Sequence, residues 1–186
     1  MKRCPKCGSK RLMHISPLSQ EANKEAKYHC PSCSSNVGTP PVLRETGEDY
    51  RDIAVSLDFS VGGWNSRRRI LIKKDNDGIE LSVWHRFSPF PPDVQRKMKK
   101  AEWEKLLDRL YGKLYLHEWD KEFINHGILD GTQWYLKIAF TGDRVERYGG
   151  SNCFPPYWND LKELFKPYWQ EAENASIGFP FPFTEE

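Results

Sequence analysis

Four cysteines open the chain in two pairs, Cys4-Pro5-Lys6-Cys7-Gly8 and Cys30-Pro31-Ser32-Cys33, with 22 residues between the pairs. A Cys-x-x-Cys turn brings two sulfurs to one point. Two such turns complete a tetrahedron of thiolates around a zinc ion. Pro5 presets the first turn, and Gly8 allows the left-handed backbone a knuckle of this kind needs. The expected ligands are Cys4, Cys7, Cys30 and Cys33, and the expected cofactor is one structural Zn2+. Four thiolates fill its coordination sphere and leave no open position for a substrate. His14 and His29 lie close by, but four well-placed cysteines leave no position for them. Cys153 stands apart; a nucleophile needs an adjacent base and a lowered pKa, so it reads as an ordinary thiol.

Three other constellations carry possible chemistry. His117-Glu118-Trp119-Asp120, joined by His85, offers acid–base or metal-assisted hydrolysis if the four groups converge. The spacing is not His-Glu-x-x-His, and His85 falls in phase with Ile79, Leu81 and Val83, where a core histidine is the plain expectation. Gly149-Gly150-Ser151-Asn152 precedes a helix, where backbone N–H groups can cradle the anion of a nucleotide or small molecule. It lacks the full dinucleotide or phosphate-loop pattern, and Ser151 or Asn152 also suits an ordinary turn. Arg67-Arg68-Arg69 can grip phosphate or an acidic partner, although on a strand the three alternate between faces. Lys2, Arg3, Lys6, Lys10 and Arg11 give the cysteine-bearing segment a basic surface of its own.

The elements that position these residues follow from periodicity. Residues 1–36 read as a zinc ribbon, with strands over Lys10–Ser16 and Lys27–Cys30. Its apolar content is too small for a core, so metal binding is expected to drive its folding. Residues 37–50 read as a linker holding Gly38, Pro40, Pro41 and Gly47. Ile53, Val55, Leu57, Phe59 and Val61 alternate as a half-buried strand. Strands over 68–74 and from Ile79 to Phe87 follow, joined by the turn Asp75-Asn76-Asp77-Gly78. A helix is expected from Asp93 to Tyr111, strands over 132–140 and around Val145–Arg147, and a last helix after Pro155-Pro156. The order β-β-β-α-β-β-α predicts an α+β domain over 51–170, an antiparallel sheet with two helices on one face. Residues 171–186 form a Pro/Phe-rich tail, a clamp if bound and a recognition peptide if free.

The chain has 186 residues and a net charge of only +2, which argues against a nucleic-acid footprint across its whole surface. The charge is uneven. Residues 1–33 hold seven Lys/Arg against two Glu, a net +5, leaving −3 for the remainder. Seven Trp, ten Phe and eight Tyr supply large rings for a core or an interface. Trp64, Trp84, Tyr135, Tyr157 and Trp169 fall off the apolar phases or at element ends and are the candidates for exposed aromatic surface. No apolar run has the length of a membrane span and no signal-peptide core is present, so the expectation is a soluble cytoplasmic protein with no membrane partner.

On Cys4-Pro5-Lys6-Cys7-Gly8 and Cys30-Pro31-Ser32-Cys33 the first 36 residues resemble zinc-ribbon modules, which bind DNA, RNA or proteins. On Asp130-Gly131-Thr132-Gln133-Trp134 and Tyr148-Gly149-Gly150-Ser151-Asn152-Cys153-Phe154-Pro155-Pro156, the remainder resembles an uncharacterised domain of small bacterial and phage proteins. That resemblance implies a bacterial or phage source and supplies no catalytic residues. Together these features point to a non-enzymatic, zinc-containing binding or adaptor protein with a macromolecular partner, protein favoured over nucleic acid. A hydrolase or nuclease-like enzyme and a nucleotide sensor are the alternatives.

Overall fold

The computed structural model describes residues 3–15, 26–38, 49–63, 66–86, 91–128 and 130–177. In the first module β1 (Met13–His14), β2 (Tyr28–Cys30) and β3 (Ser35–Val37) form a three-stranded antiparallel sheet in that order. β3 has a single apolar side chain, Val37, too little to give a sequence pattern. Val37 nevertheless buries against Cys4 and Cys30, with Leu12, Tyr28 and Cys33 around them. A core this small needs a further tie to hold it.

The larger module begins with α1 (Tyr50–Ile53), capped by the Asp49 side chain, which accepts from the Arg51 N–H. There follow β4 (Ala54–Gly62), β5 (Arg68–Asp75), β6 (Gly78–Trp84), β7 (Val94–Met98), α2 (Lys100–Leu107), β8 (Glu122–Ile124), β9 (Gln133–Phe140), β10 (Val145–Ser151) and α3 (Trp158–Ile177). The seven strands lie in the order β7-β6-β5-β4-β9-β10-β8, antiparallel except for the β8–β10 pair. The α+β class holds, with a mixed rather than purely antiparallel sheet.

Register fixes which face is apolar. Leu57 pairs with Ile72 and Ile138, and Phe59 with Ile70 and Leu136. A slip of one residue would turn this whole set to solvent. Both long helices cover that face. Phe165 of α3 stacks on Phe59 at 4.5 Å between ring centroids, and Tyr111, on the π-helical turn (Asp108–Lys113) that continues α2, packs on Phe140 at 6.4 Å. Arg96 on β7 clasps the layers, donating to Glu171 of α3 at 2.9 Å and Glu102 of α2 at 3.1 Å. Beneath α2, the phenols of Tyr111 and Tyr148 both donate to Glu146, at 3.0 and 2.9 Å. Burial and then the Glu146 charge push both phenols well above the usual tyrosine range.

Several boundaries differ from expectation. The helix expected at Asp93 is preceded by strand β7, because Pro91-Pro92 sets an extended entry and β6 offers an unpaired edge that outweighs helix propensity. After α2 and its π-helical turn, Leu116–Glu118 form a 3-10 turn. β8 is three residues long and has no readable period. α3 continues to Ile177 with Pro167 inside it; the Pro/Phe-rich stretch after it lies outside the described residues.

Candidate metal centre and its surroundings

The two knuckles are built alike. In the first, the Gly8 N–H donates to the Cys4 carbonyl at 2.9 Å and the Cys4 N–H to the Ser9 carbonyl at 2.7 Å. Gly8 has φ +73°, and Ser34, the residue after Cys33, takes the same left-handed form at φ +56°. The hydroxyls of Ser9 and Ser32 join the knuckles at 2.8 Å. This geometry puts Cys4 Sγ 3.8 Å from Cys33 Sγ and Cys7 Sγ 3.6 Å from Cys30 Sγ, with all four sulfurs within 4.8 Å of one another. Sulfurs 2.3 Å from a central ion would stand about 3.8 Å apart in a tetrahedron.

The surroundings act on the thiols in both directions. Backbone N–H groups of Cys7 and Lys6 face the Cys4 sulfur, and those of Ser9 and Ser35 face Cys7 and Cys33. Burial pushes the Cys4 thiol up to about 12, whereas the Ser35 hydroxyl, 3.3 Å from Cys33 Sγ, holds that thiol down to about 6. A cation is what lets four such groups ionise together. The four cysteines are therefore able to hold a metal ion, and no other group of three or more His, Cys, Asp or Glu among the described residues is placed to do so. His29 Nδ1 instead meets Asn36 Oδ1 at 2.8 Å, and the His14 ring packs on Tyr28.

The ribbon is docked on the larger module. Tyr157 OH donates to the Arg3 carbonyl at 2.6 Å, and Arg3 returns a hydrogen bond to the Pro156 carbonyl at 3.2 Å while its guanidinium lies over the Tyr157 ring. The Gly38 N–H donates to Glu118 Oε1 at 2.7 Å. Lys6 reaches Asp120 at 3.2 Å, an exposed pair that adds little stability. Gly38 has φ +89°, and a Cβ there would sit 2.8 Å from the Tyr28 ring, so the ribbon leaves its sheet through a position that requires glycine.

These contacts also place the other candidates. Glu118 and Asp120 face the ribbon, and His117 Nε2 lies 3.7 Å from Glu118 Oε1. His85 is at the end of β6, where its backbone N–H donates to Asp93. The four groups of the hydrolase alternative thus do not gather into a metal-binding cluster. Gly149, Gly150 and Ser151 are strand, not loop, paired to β9 on one side and β8 on the other. A hollow of ≈ 480 Å³ borders them, but Gly149 N–H already donates to the Lys121 carbonyl, so the expected anion cradle is not formed.

Of the basic residues, Arg3 and Lys6 are engaged in docking, Lys10 and Arg11 are exposed, and Lys2 lies outside the described residues. The arginine run divides as a strand must: Arg69 makes a two-point pair with Asp58 at 2.8 and 2.9 Å beneath Trp84, Arg68 lies over Trp169, and Arg67 is half-buried. Tyr157 and Trp169, expected as surface rings, are buried, the first by the ribbon and the second against Phe59. Trp84 and Tyr135 are half-buried and Trp64 lies outside the described residues.

One feature hidden in the sequence is how its two distant motifs meet. The Asn152 side chain accepts from the Thr132 N–H at 2.8 Å and donates to the Asp130 carbonyl at 3.2 Å, and Trp134 Nε1 donates to the Cys153 carbonyl at 2.9 Å. The segments 130–134 and 148–156 are one clip that sets the entry to α3. Among the described residues no helix is long and apolar enough to cross a membrane. Comparison of the chain with protein-family models and with curated proteins finds no match.

Proposed function

We propose that the chain is a zinc-containing binding protein, in which a ribbon held by one structural Zn2+ braces a larger domain that engages a macromolecular partner. The observation that carries this reading is the cluster of four sulfurs within 4.8 Å of one another. Tetrahedral thiolate donors suit Zn2+ and disfavour hard cations such as Mg2+ or Ca2+. The ion supplies a fourfold cross-link, and with no ligand position open it contributes folding energy rather than turnover. The ribbon passes that order on, because Arg3 holds Pro156 and Tyr157 where α3 begins.

Native mass spectrometry of the full chain purified from cells, with and without a chelator, tests this. The reading expects one zinc per chain and a co-migrating macromolecule that is released when zinc is stripped. A chain without zinc would contradict it. A second tightly retained metal ion would also contradict it and favour a hydrolytic centre, because the four cysteines account for one ion.

A further inference from the structure

The ends of β4, β5 and β6 and the first turns of α3 enclose an open hollow of ≈ 710 Å³. That volume suits a ligand rather than a packing defect. Arg68, Arg86 and Lys162 line it, and no carboxylate does among the described residues. This concentration is unusual in a chain whose residues 34–186 carry a net −3. Aromatic rings stand between the cations. Phe154, exposed, stacks on Trp158 at 4.7 Å; Lys162 lies over Trp158 and Arg68 over Trp169. Trp158, Lys162 and Trp169 fall on one face of α3, at intervals of four and seven residues, and so span about 16 Å along the hollow.

Two buried polar atoms at this wall lack partners. Trp169 Nε1 and His85 Nδ1 make no hydrogen bond among the described residues, and both side chains line the hollow. Buried polar atoms are normally satisfied, so the two orphans mark this wall as a place of unmet hydrogen-bonding capacity, although both atoms are closed to the hollow itself.

Resting on the binding reading above, we propose that this hollow binds single-stranded nucleic acid. Arg68, Arg86 and Lys162 meet its phosphates, and the Phe154–Trp158 stack offers a face for a base. Cations interleaved with rings are what an unpaired strand requires, whereas a duplex keeps its base faces covered and cannot enter a recess. The ribbon grips Pro156 and Tyr157, between Phe154 and Trp158, so the metal centre also holds the stacking pair in place.

Fluorescence anisotropy of the zinc-loaded full chain with labelled dT12 and rU12, in 50 and 200 mM salt, tests the proposal. Three phosphate contacts predict a slope near −2 for log affinity against log salt, roughly a 20-fold loss between those conditions. Arg68→Glu with Lys162→Glu is expected to weaken binding at least tenfold and flatten the slope. Phe154→Ala, an exposed position that leaves the fold intact, is expected to weaken it by roughly 5- to 100-fold with the slope unchanged. Lys99→Glu with Lys100→Glu, the same charge change on exposed residues of another face, is expected to change it little. UMP should compete only far above the strand's own dissociation constant; equal competition would make the site one for free nucleotides and overturn the proposal. It is also overturned if neither oligonucleotide binds at 50 mM salt, or if Lys10→Glu with Arg11→Glu abolishes binding while the hollow variants do not. A protein or acidic peptide that co-migrates with the zinc-bound chain, with no oligonucleotide affinity, would overturn this inference and leave the binding reading standing.

Discussion

Ser34 carries in the second knuckle the left-handed turn that Gly8 carries in the first. For an L-residue that conformation costs roughly 1–2 kcal/mol, and Ser34 is exposed, so no packing contact compensates. Ser34→Gly is therefore expected to stabilise the ribbon by roughly 0.5 kcal/mol, after part of the relief is lost to the greater freedom of glycine in the unfolded chain. Gly8→Ser should destabilise it by about 1 kcal/mol. A chelator-competition titration reads both: the first variant should need more chelator to lose its metal, the second less, and the reverse order would refute the argument. The cysteine spacing makes the ligands legible from sequence. The strained serine is legible only once the knuckles are superposed, because serine itself signals nothing about φ. The docking role of Glu118 was hidden for a related reason. Its partner is the backbone N–H of Gly38, and a backbone group carries no sequence label.

At the scale of elements, alternation identified β4, β5, β6 and β9, because each buries one face and pattern alone then fixes its type. It failed at β7 and β8, and at β10 it caught only the start, around Val145–Arg147. β7 is a polar edge strand whose pairing to β6 is a tertiary effect, and β8 is too short to show a period. β10 runs through Gly149-Gly150, which reads as a loop by propensity. The glycine there answers to space rather than to a turn. A Cβ on Gly150 would lie 2.4 Å from Trp134 Nε1 and 2.6 Å from the Cys153 carbonyl, the two atoms of the hydrogen bond that clips the entry to α3. Gly150→Ala should thus cost about 1–3 kcal/mol, as overpacking does. Gly112, on the π-helical turn, has nothing within 4 Å of a Cβ, and Gly112→Ala should gain about 0.5–1 kcal/mol from chain entropy. Denaturant melts of the two variants should move in opposite directions. A neutral Gly150→Ala would mean that the 130–134 and 148–156 segments are not packed as described.

For the whole molecule, composition gave the class and the uneven charge but not the way the two modules meet. Two of their contacts are to carbonyl oxygens, those of Arg3 and Pro156, which sequence patterns do not encode. Nor did composition locate the basic hollow, because its cations come from β5, from the end of β6 and from α3 and are brought together only by the fold. In this arrangement the four cysteines are the keystone: they complete a ribbon too small to fold by burial, and the ribbon in turn fixes the start of α3. Zinc K-edge X-ray absorption on the purified full chain tests that claim most directly. The account predicts a single shell of four sulfurs at about 2.3 Å. A shell with nitrogen or oxygen ligands, or with fewer than four sulfurs, would contradict it.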